Sequence, residues 1–135
     1  MSDKKTNIDK NEIIKHLTDT AENDFRVMMI LYESKSYIWS LFLGHISVEK
    51  LLKALYVKKN GQHAPFTHNL YRLAELCGLE LTNEYSDLLD KITSFNINAR
   101  YNDYKKEFYT QCTPEFTQYW IDKIGNLREW IKKMF

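Results

Sequence analysis

One stretch constrains this chain more than any other: Ile38 to Tyr56, IWSLFLGHISVEKLLKALY. Taken as a helix, it sets Ile38, Leu41, His45, Val48, Leu52 and Leu55 on one seam at steps of three and four. Phe42, Ile46, Glu49, Lys53 and Tyr56 fall on the adjoining stripe. A helix apolar around most of its circumference has to be covered from several sides, so it is expected at the centre of a helical bundle. With Glu49, Lys50 and Lys53 inside it, the stretch is a poor membrane span.

The composition agrees with a bundle. Only 4 Gly and 2 Pro interrupt 135 residues, of which 44% are hydrophobic and 14% aromatic, enough for one domain with a sizeable core. Apolar residues recur at helical spacing, and no βαβ alternation is visible. The balance of 19 Lys and Arg against 18 Asp and Glu leaves a charge of +1, so bulk electrostatics does not argue for general nucleic-acid binding. Any anion site has to be local. Cys77 and Cys112 lie far apart and form no Cys/His spacing of the kind that binds zinc, so no disulfide framework, metal site or cofactor is expected. The N-terminal MSDKKTNIDKNE lacks the apolar region of a secretory signal; no membrane association is expected, and the cytoplasm is the expected compartment.

In chain order, residues 1–7 are charged and polar and are expected to be a disordered tail before one helical domain over residues 8–135. A first helix from about Ile8 to Tyr32 carries Ile14, Leu17, Ala21, Phe25, Met28 and Tyr32 on one stripe. The short break at 33–36 makes the central helix its antiparallel neighbour. Lys58 to Pro65 closes that helix, with Gly61 suited to a left-handed cap and Pro65 biasing Ala64 away from helical geometry. Thr67 is the expected cap of a short third helix, with Phe66 stapled onto Tyr71 and Gly78 as the stop. Thr82 opens a fourth helix through Tyr85, Leu88, Leu89, Ile92, Phe95 and Ala99. Residues 102–112 lack clean periodicity and are expected to form an exposed connection. Thr113, Pro114 and Glu115 then start a last helix with Phe116, Trp120, Ile124, Leu127, Ile131 and Met134 on one face. The expected fold is all-α: an up-and-down four-helix bundle with one additional short helix.

Three clusters in this frame are able to carry chemistry. In the first, Glu49 precedes Lys53 by four residues, the favourable order for an intrahelical pair that needs no ligand. Because they share a stripe with Phe42 and Ile46, partial burial obliges them to find partners, and Arg100 is the expected cation for Glu49. A structural network outweighs direct ligand contact here; Lys50 faces another way and is read as solvated. The second cluster is Pro65 to Leu70, PFTHNL, where His68 is expected in the first turn of its helix. Locking that helix start against the Arg100 region outweighs a catalytic use. His45, on the apolar seam, is read as a core or interface histidine, and His16 and His63 as exposed. The third cluster, Arg100 to Tyr104, has two readings. Arg100 can grip phosphate with two parallel hydrogen bonds while Tyr101 and Tyr104 stack on a base, with Lys105 and Lys106 adding to the field. Alternatively, the cations stabilise a helix C-terminus, Asp103 pairs with Arg100, and the tyrosines pack on the last helix.

In order and spacing, the stretches SVEKLLKAL, FTHNL and ARYND resemble the HEPN domain family. Its members carry an A-x-E-K-x-x-K-A type motif in one of two paired long helices, then a T-H-D-L-like helix start and an R-Y-P-D-like motif ending a later helix. The resemblance covers about residues 8–134. Many HEPN proteins are ribonucleases that work without a metal, through an arginine and a histidine separated by four to six intervening residues and brought together across a dimer. In this chain Lys105, Lys106 and Glu107 stand at those spacings from Arg100, and all four histidines, His16, His45, His63 and His68, precede it. The standard ribonuclease motif is absent, and no residue is assigned as catalytic on the strength of the resemblance.

The chain is more similar to the R-Y-P-D-like branch, with Asn102 in place of its proline, which relaxes the backbone after Tyr101. Members of that branch are often encoded beside small nucleotidyltransferases, in a toxin–antitoxin-like arrangement. The resemblance therefore implies a non-catalytic binding or assembly module, a homodimer, holding a nucleotide, RNA or a nucleotidyltransferase partner. The residues implied are Glu49, Lys53, His68, Arg100, Tyr101, Asp103 and Tyr104. The alternative is a divergent metal-independent ribonuclease in which His68 replaces the missing base and works with Arg100. Trp39, Trp120 and Trp130, hard to fit into one small core, are the sequence motive for the dimer.

Overall fold

A computed structural model describes residues 9–135, so the tail expected at 1–7 lies outside the described residues. Among the described residues six helices follow one another: α1 (Lys10–Glu33), α2 (Tyr37–Asn60), α3 (Leu70–Leu76), α4 (Asn83–Arg100), α5 (Asn102–Gln111) and α6 (Pro114–Lys132). Those residues include no strand, and no helix among them is long and apolar enough to cross a membrane. The all-α bundle expected from the sequence is the fold found, with two short helices beside the four long ones.

The central stretch is the hub. α2 touches each of the other five helices, and more than half of its residues are buried. Several of the buried residues are polar or small, and each has a structural use. Ser40 and Ser47 donate hydrogen bonds to the α1 carbonyls of Met28 and Ala21, both at 2.8 Å, which joins the two long helices at two levels. Gly44 lies where a Cβ would stand 2.5 Å from Ile124 Cδ1 and 3.0 Å from Met28 Sδ, so its missing side chain lets α6 and α1 close on α2.

Local signals explain most boundaries. Thr82 and Thr113 accept hydrogen bonds from the amides of Tyr85 and Phe116, each at 3.1 Å, and Pro114 fills the first position of α6. Gly61 ends α2 in the left-handed region at φ +68°. At the end of α3, Gly78 N donates to Glu75 O and Leu79 N to Ala74 O, the paired bonds of a Schellman turn. The α1–α2 turn uses the same device without glycine. Lys35 takes φ +67°, while its amide donates to Tyr32 O and that of Ser36 to Leu31 O.

Three expectations need correction. α3 is capped by Asn69, whose side chain accepts from Arg72 N at 3.0 Å, and Thr67 instead accepts from Asn69 N at 3.1 Å. Phe66 is fully exposed and staples nothing. Of residues 102–112, expected as an exposed connection, all but the last form α5, because Phe108 is buried and stacks on Phe95 with ring centroids 5.5 Å apart. A single inward aromatic docks an otherwise polar helix.

The buried Arg128 of α6 pairs with Glu22 of α1 and lies 4.2 Å from the Phe25 ring centroid. The hydrogen bond from Arg128 holds the Glu22 carboxyl below its ordinary range. Trp120 packs edge-on against Phe95 at 5.5 Å and Trp130 against Tyr85 at 4.6 Å, so two of the three tryptophans belong to this chain's own core.

Candidate functional site

The connection between α2 and α3 is tied down at three points. Thr67 accepts from the Asn69 amide, Thr93 of α4 accepts from Leu70 N at 3.0 Å, and the carbonyl of His68 accepts from His45 Nε2 at 2.8 Å. His68 therefore precedes its helix instead of sitting in the first turn. Its ring, 61% exposed, donates from Nδ1 to Glu49 Oε1 at 2.8 Å. Glu49, 6% exposed, accepts on its other oxygen from Lys53 Nζ at 3.0 Å. A nearly buried carboxylate is thus neutralised by a lysine on its own helix and hydrogen-bonded by a histidine from the next connection. Its expected partner, Arg100, is elsewhere.

Arg100 ends α4 and donates from Nε to Asn96 Oδ1 at 2.8 Å. Its guanidinium lies 5.1 Å from the Tyr101 ring centroid, and its two terminal nitrogens have no partner among the described residues. Asp103 does not pair with it. That carboxylate is exposed in the first turn of α5, where it suits the positive end of the helix. Tyr101 and Tyr104 are half exposed rather than packed on α6, and Lys105 turns away to lie 4.7 Å from the Trp39 ring centroid. Lys50, read as solvated, forms an ion pair with Asp24 of α1 at 2.7 Å.

These pieces meet in an open cleft of about 590 Å³ lined by His68, Thr93, Asn96, Arg100, Tyr101 and Tyr104, among others. Of the residues singled out from the sequence, His68, Arg100, Tyr101 and Tyr104 line it. Glu49 stands behind His68, and Lys53 opens onto a separate groove together with the exposed His16 and His63. Asp103 is not part of the lining.

Two further members belong to the site: His45, read from the sequence as a core or interface histidine but not as part of the site, and Asn96, which the sequence reading does not single out. His45 is fully buried, and burial pushes its pKa below 6.5, more than the His68 carbonyl and Glu49 raise it. As a neutral imidazole donating from Nε2, it presents a lone pair on Nδ1 toward Asn96 Nδ2 at 3.4 Å. Asn96, also buried, thereby joins His45 to Arg100. A polar residue on an apolar stripe was the available signal in both cases. The thiols of Cys77 and Cys112 are free and buried, pushed up to about 11 and about 12 by desolvation, which makes them poor nucleophiles. Among the described residues no group of three or more His, Cys, Asp and Glu is arranged to hold a metal ion.

The cleft of this helical bundle thus presents a guanidinium held at Nε, a carboxylate-bound histidine and two half-exposed tyrosines. The chain belongs to the HEPN domain family, whose model matches residues 14–134. Its fold is shared with TT1696 from Thermus thermophilus, a crystal structure aligned with TM-score 0.76 and 14% identity over 90% of this chain and 98% of that one. No curated protein matches the chain in sequence.

Proposed function

We propose that the protein is a non-catalytic binding module that holds a nucleotide, or RNA through its phosphates, in the cleft between the α2–α3 connection and the end of α4. It works as a homodimer alongside a nucleotidyltransferase-type partner, as in the R-Y-P-D-like branch its motifs resemble. The observation that carries the reading is Arg100. Its Nε is held by Asn96, which leaves both terminal nitrogens available as a fork for phosphate oxygens, and Tyr101 and Tyr104 offer faces for a base beside it.

The test is titration with AMP and with a short single-stranded RNA in EDTA. Arg100→Ala is expected to weaken binding by roughly tenfold or more, since charge-assisted hydrogen bonds contribute about 1.5–3 kcal/mol, and Arg100→Lys recovers the charge without the fork. Wild-type affinity in Arg100→Ala would remove the cleft as the site.

One observation favours a second reading. With Nδ1 bound to Glu49, neutral His68 has its lone pair on Nε2, and that nitrogen has no partner among the described residues. Such a nitrogen can take the proton of an RNA 2′-hydroxyl while Arg100 balances charge on the phosphorane. RNA cleavage in EDTA that disappears in both His68→Ala and Arg100→Ala would select the ribonuclease over the binding module.

A further inference from the structure

We propose that His45 and Asn96 are positioning residues, which lock Arg100 and His68 into one unit through a hydrogen-bond chain that admits a single assignment of its protons. The inference rests on the reading of the cleft as an anion site and says how that site is held. His45 and Asn96 are 0% and 3% exposed. His45 stands behind the cleft, and Asn96, although an edge of it reaches the lining, has its amide turned to His45 and Arg100, so a ligand meets chiefly Arg100 and His68.

The ends of the chain are chemically fixed. The His68 carbonyl can only accept, so His45 Nε2, 2.8 Å away, carries the proton. A neutral imidazole has one N–H, which leaves Nδ1 as an acceptor. The group facing it at 3.4 Å must donate, which turns the Asn96 amide nitrogen toward His45. The amide oxygen then faces Arg100 Nε, which can only donate, at 2.8 Å. Reversing either middle group would set two donors or two lone pairs against each other. Between the buried His45 and Asn96 the failed bond carries its desolvation cost, while at the exposed Arg100 it leaves Nε only the longer bond to the Asn96 carbonyl at 3.3 Å. The shorter of the two bonds that orient Arg100, on α4, therefore depends on a histidine of α2 that it does not touch and on the peptide that presents His68.

The test is nuclear magnetic resonance on the full chain, reading imidazole nitrogens and arginine Nε–H exchange. Wild type is expected to show neutral His45 protonated on Nε2, and Arg100 Nε–H exchanging more slowly than those of Arg26 and Arg72, which are bonded through terminal nitrogens and not through Nε. Asn96→Leu and His45→Leu should each speed Arg100 Nε–H exchange roughly fivefold, the equivalent of one neutral hydrogen bond, and weaken AMP binding to a similar degree. His45→Gln, which keeps a donor toward the His68 carbonyl, should restore most of both. In Asn96→Asp the new carboxylate cannot donate to Nδ1, so His45 should appear doubly protonated near neutral pH; the other charged or titratable groups near it are Glu49, His68 and Lys53.

A wild-type His45 protonated on Nδ1, or unchanged Arg100 exchange in a folded His45→Leu, would overturn the proposal. If His45→Leu does not fold, Asn96→Asp decides: a singly protonated His45 there overturns it equally. If wild type binds neither AMP nor RNA, the anion-site reading fails, while the proton positions and exchange rates still judge the lock itself.

Discussion

At the scale of single residues, the feature with the clearest thermodynamic consequence is the buried neutral His45. Its folded pKa lies below the ordinary 6.5, so the unfolded chain takes up a proton that the folded chain refuses. The stability this contributes is complete above that value and is lost as pH falls below it, at up to about 1.4 kcal/mol per pH unit until the lowered folded pKa is reached. Urea unfolding of wild type and His45→Gln from neutral pH down to about pH 5 checks this. The drop is expected to be steeper in wild type, and equal slopes would show that His45 titrates alike in both states. The charged and titratable groups around the cleft also mark the limit of what the sequence told. Glu49, Lys53, His68 and Arg100 could be singled out as charged or titratable residues in recognisable stretches, but their pairing could not. Arg100 was the plausible cation for Glu49, yet Glu49 is met by His68 and Lys53, and Arg100 is met by Asn96. Which of several donors reaches a buried carboxylate depends on how helices cross, and helical periodicity is silent about that.

At the scale of elements, caps were legible and docking was not. Thr82, Thr113, Gly61 and Gly78 act through bonds within a few residues of themselves, so their meaning is local and readable. α5 has no side-chain cap at Tyr101, and of its ten residues Phe108 alone is buried, so no period stands out. Its existence depends on Phe95, an aromatic from another helix. Phe108→Ala is accordingly expected to cost about 3–5 kcal/mol of stability, with the loss felt first in α5 and the turn after it. Thiol labelling under native conditions locates that loss. Cys112, next to the docked ring's turn, should label at least roughly tenfold faster in the variant, as local opening by more than about 1.4 kcal/mol implies, while Cys77 stays slow. Equal acceleration at both cysteines would mean that α5 opens only with the whole bundle.

At the scale of the molecule, the aromatic surplus that motivated a dimer has largely been absorbed. Trp120 and Trp130 pack inside the chain. Besides Ile30, Phe66 and Tyr119, exposed elsewhere, the large apolar residues left exposed are Trp39, Ile97, Tyr101, Tyr104 and Tyr109, at the start of α2, the end of α4 and along α5. A homodimer formed by this chain would best use that region, where ordered aromatic rings supply contact area at low entropic cost. Tyr109 is the informative position, because it lines a second cleft with Trp39 and Lys105 and not the one that holds His68 and Arg100. In an interface with twofold symmetry each substitution appears twice, so Tyr109→Glu both removes two rings and buries two carboxylates. Light scattering over a range of protein concentrations is expected to give the mass of two chains for wild type, with association in Tyr109→Glu weakened roughly tenfold or more. AMP affinity per chain should be nearly unchanged if the cleft is complete within one protomer. A mass of one chain for wild type at every concentration would rule out the dimer. Loss of AMP binding together with the dimer would instead place part of the binding site on the partner copy.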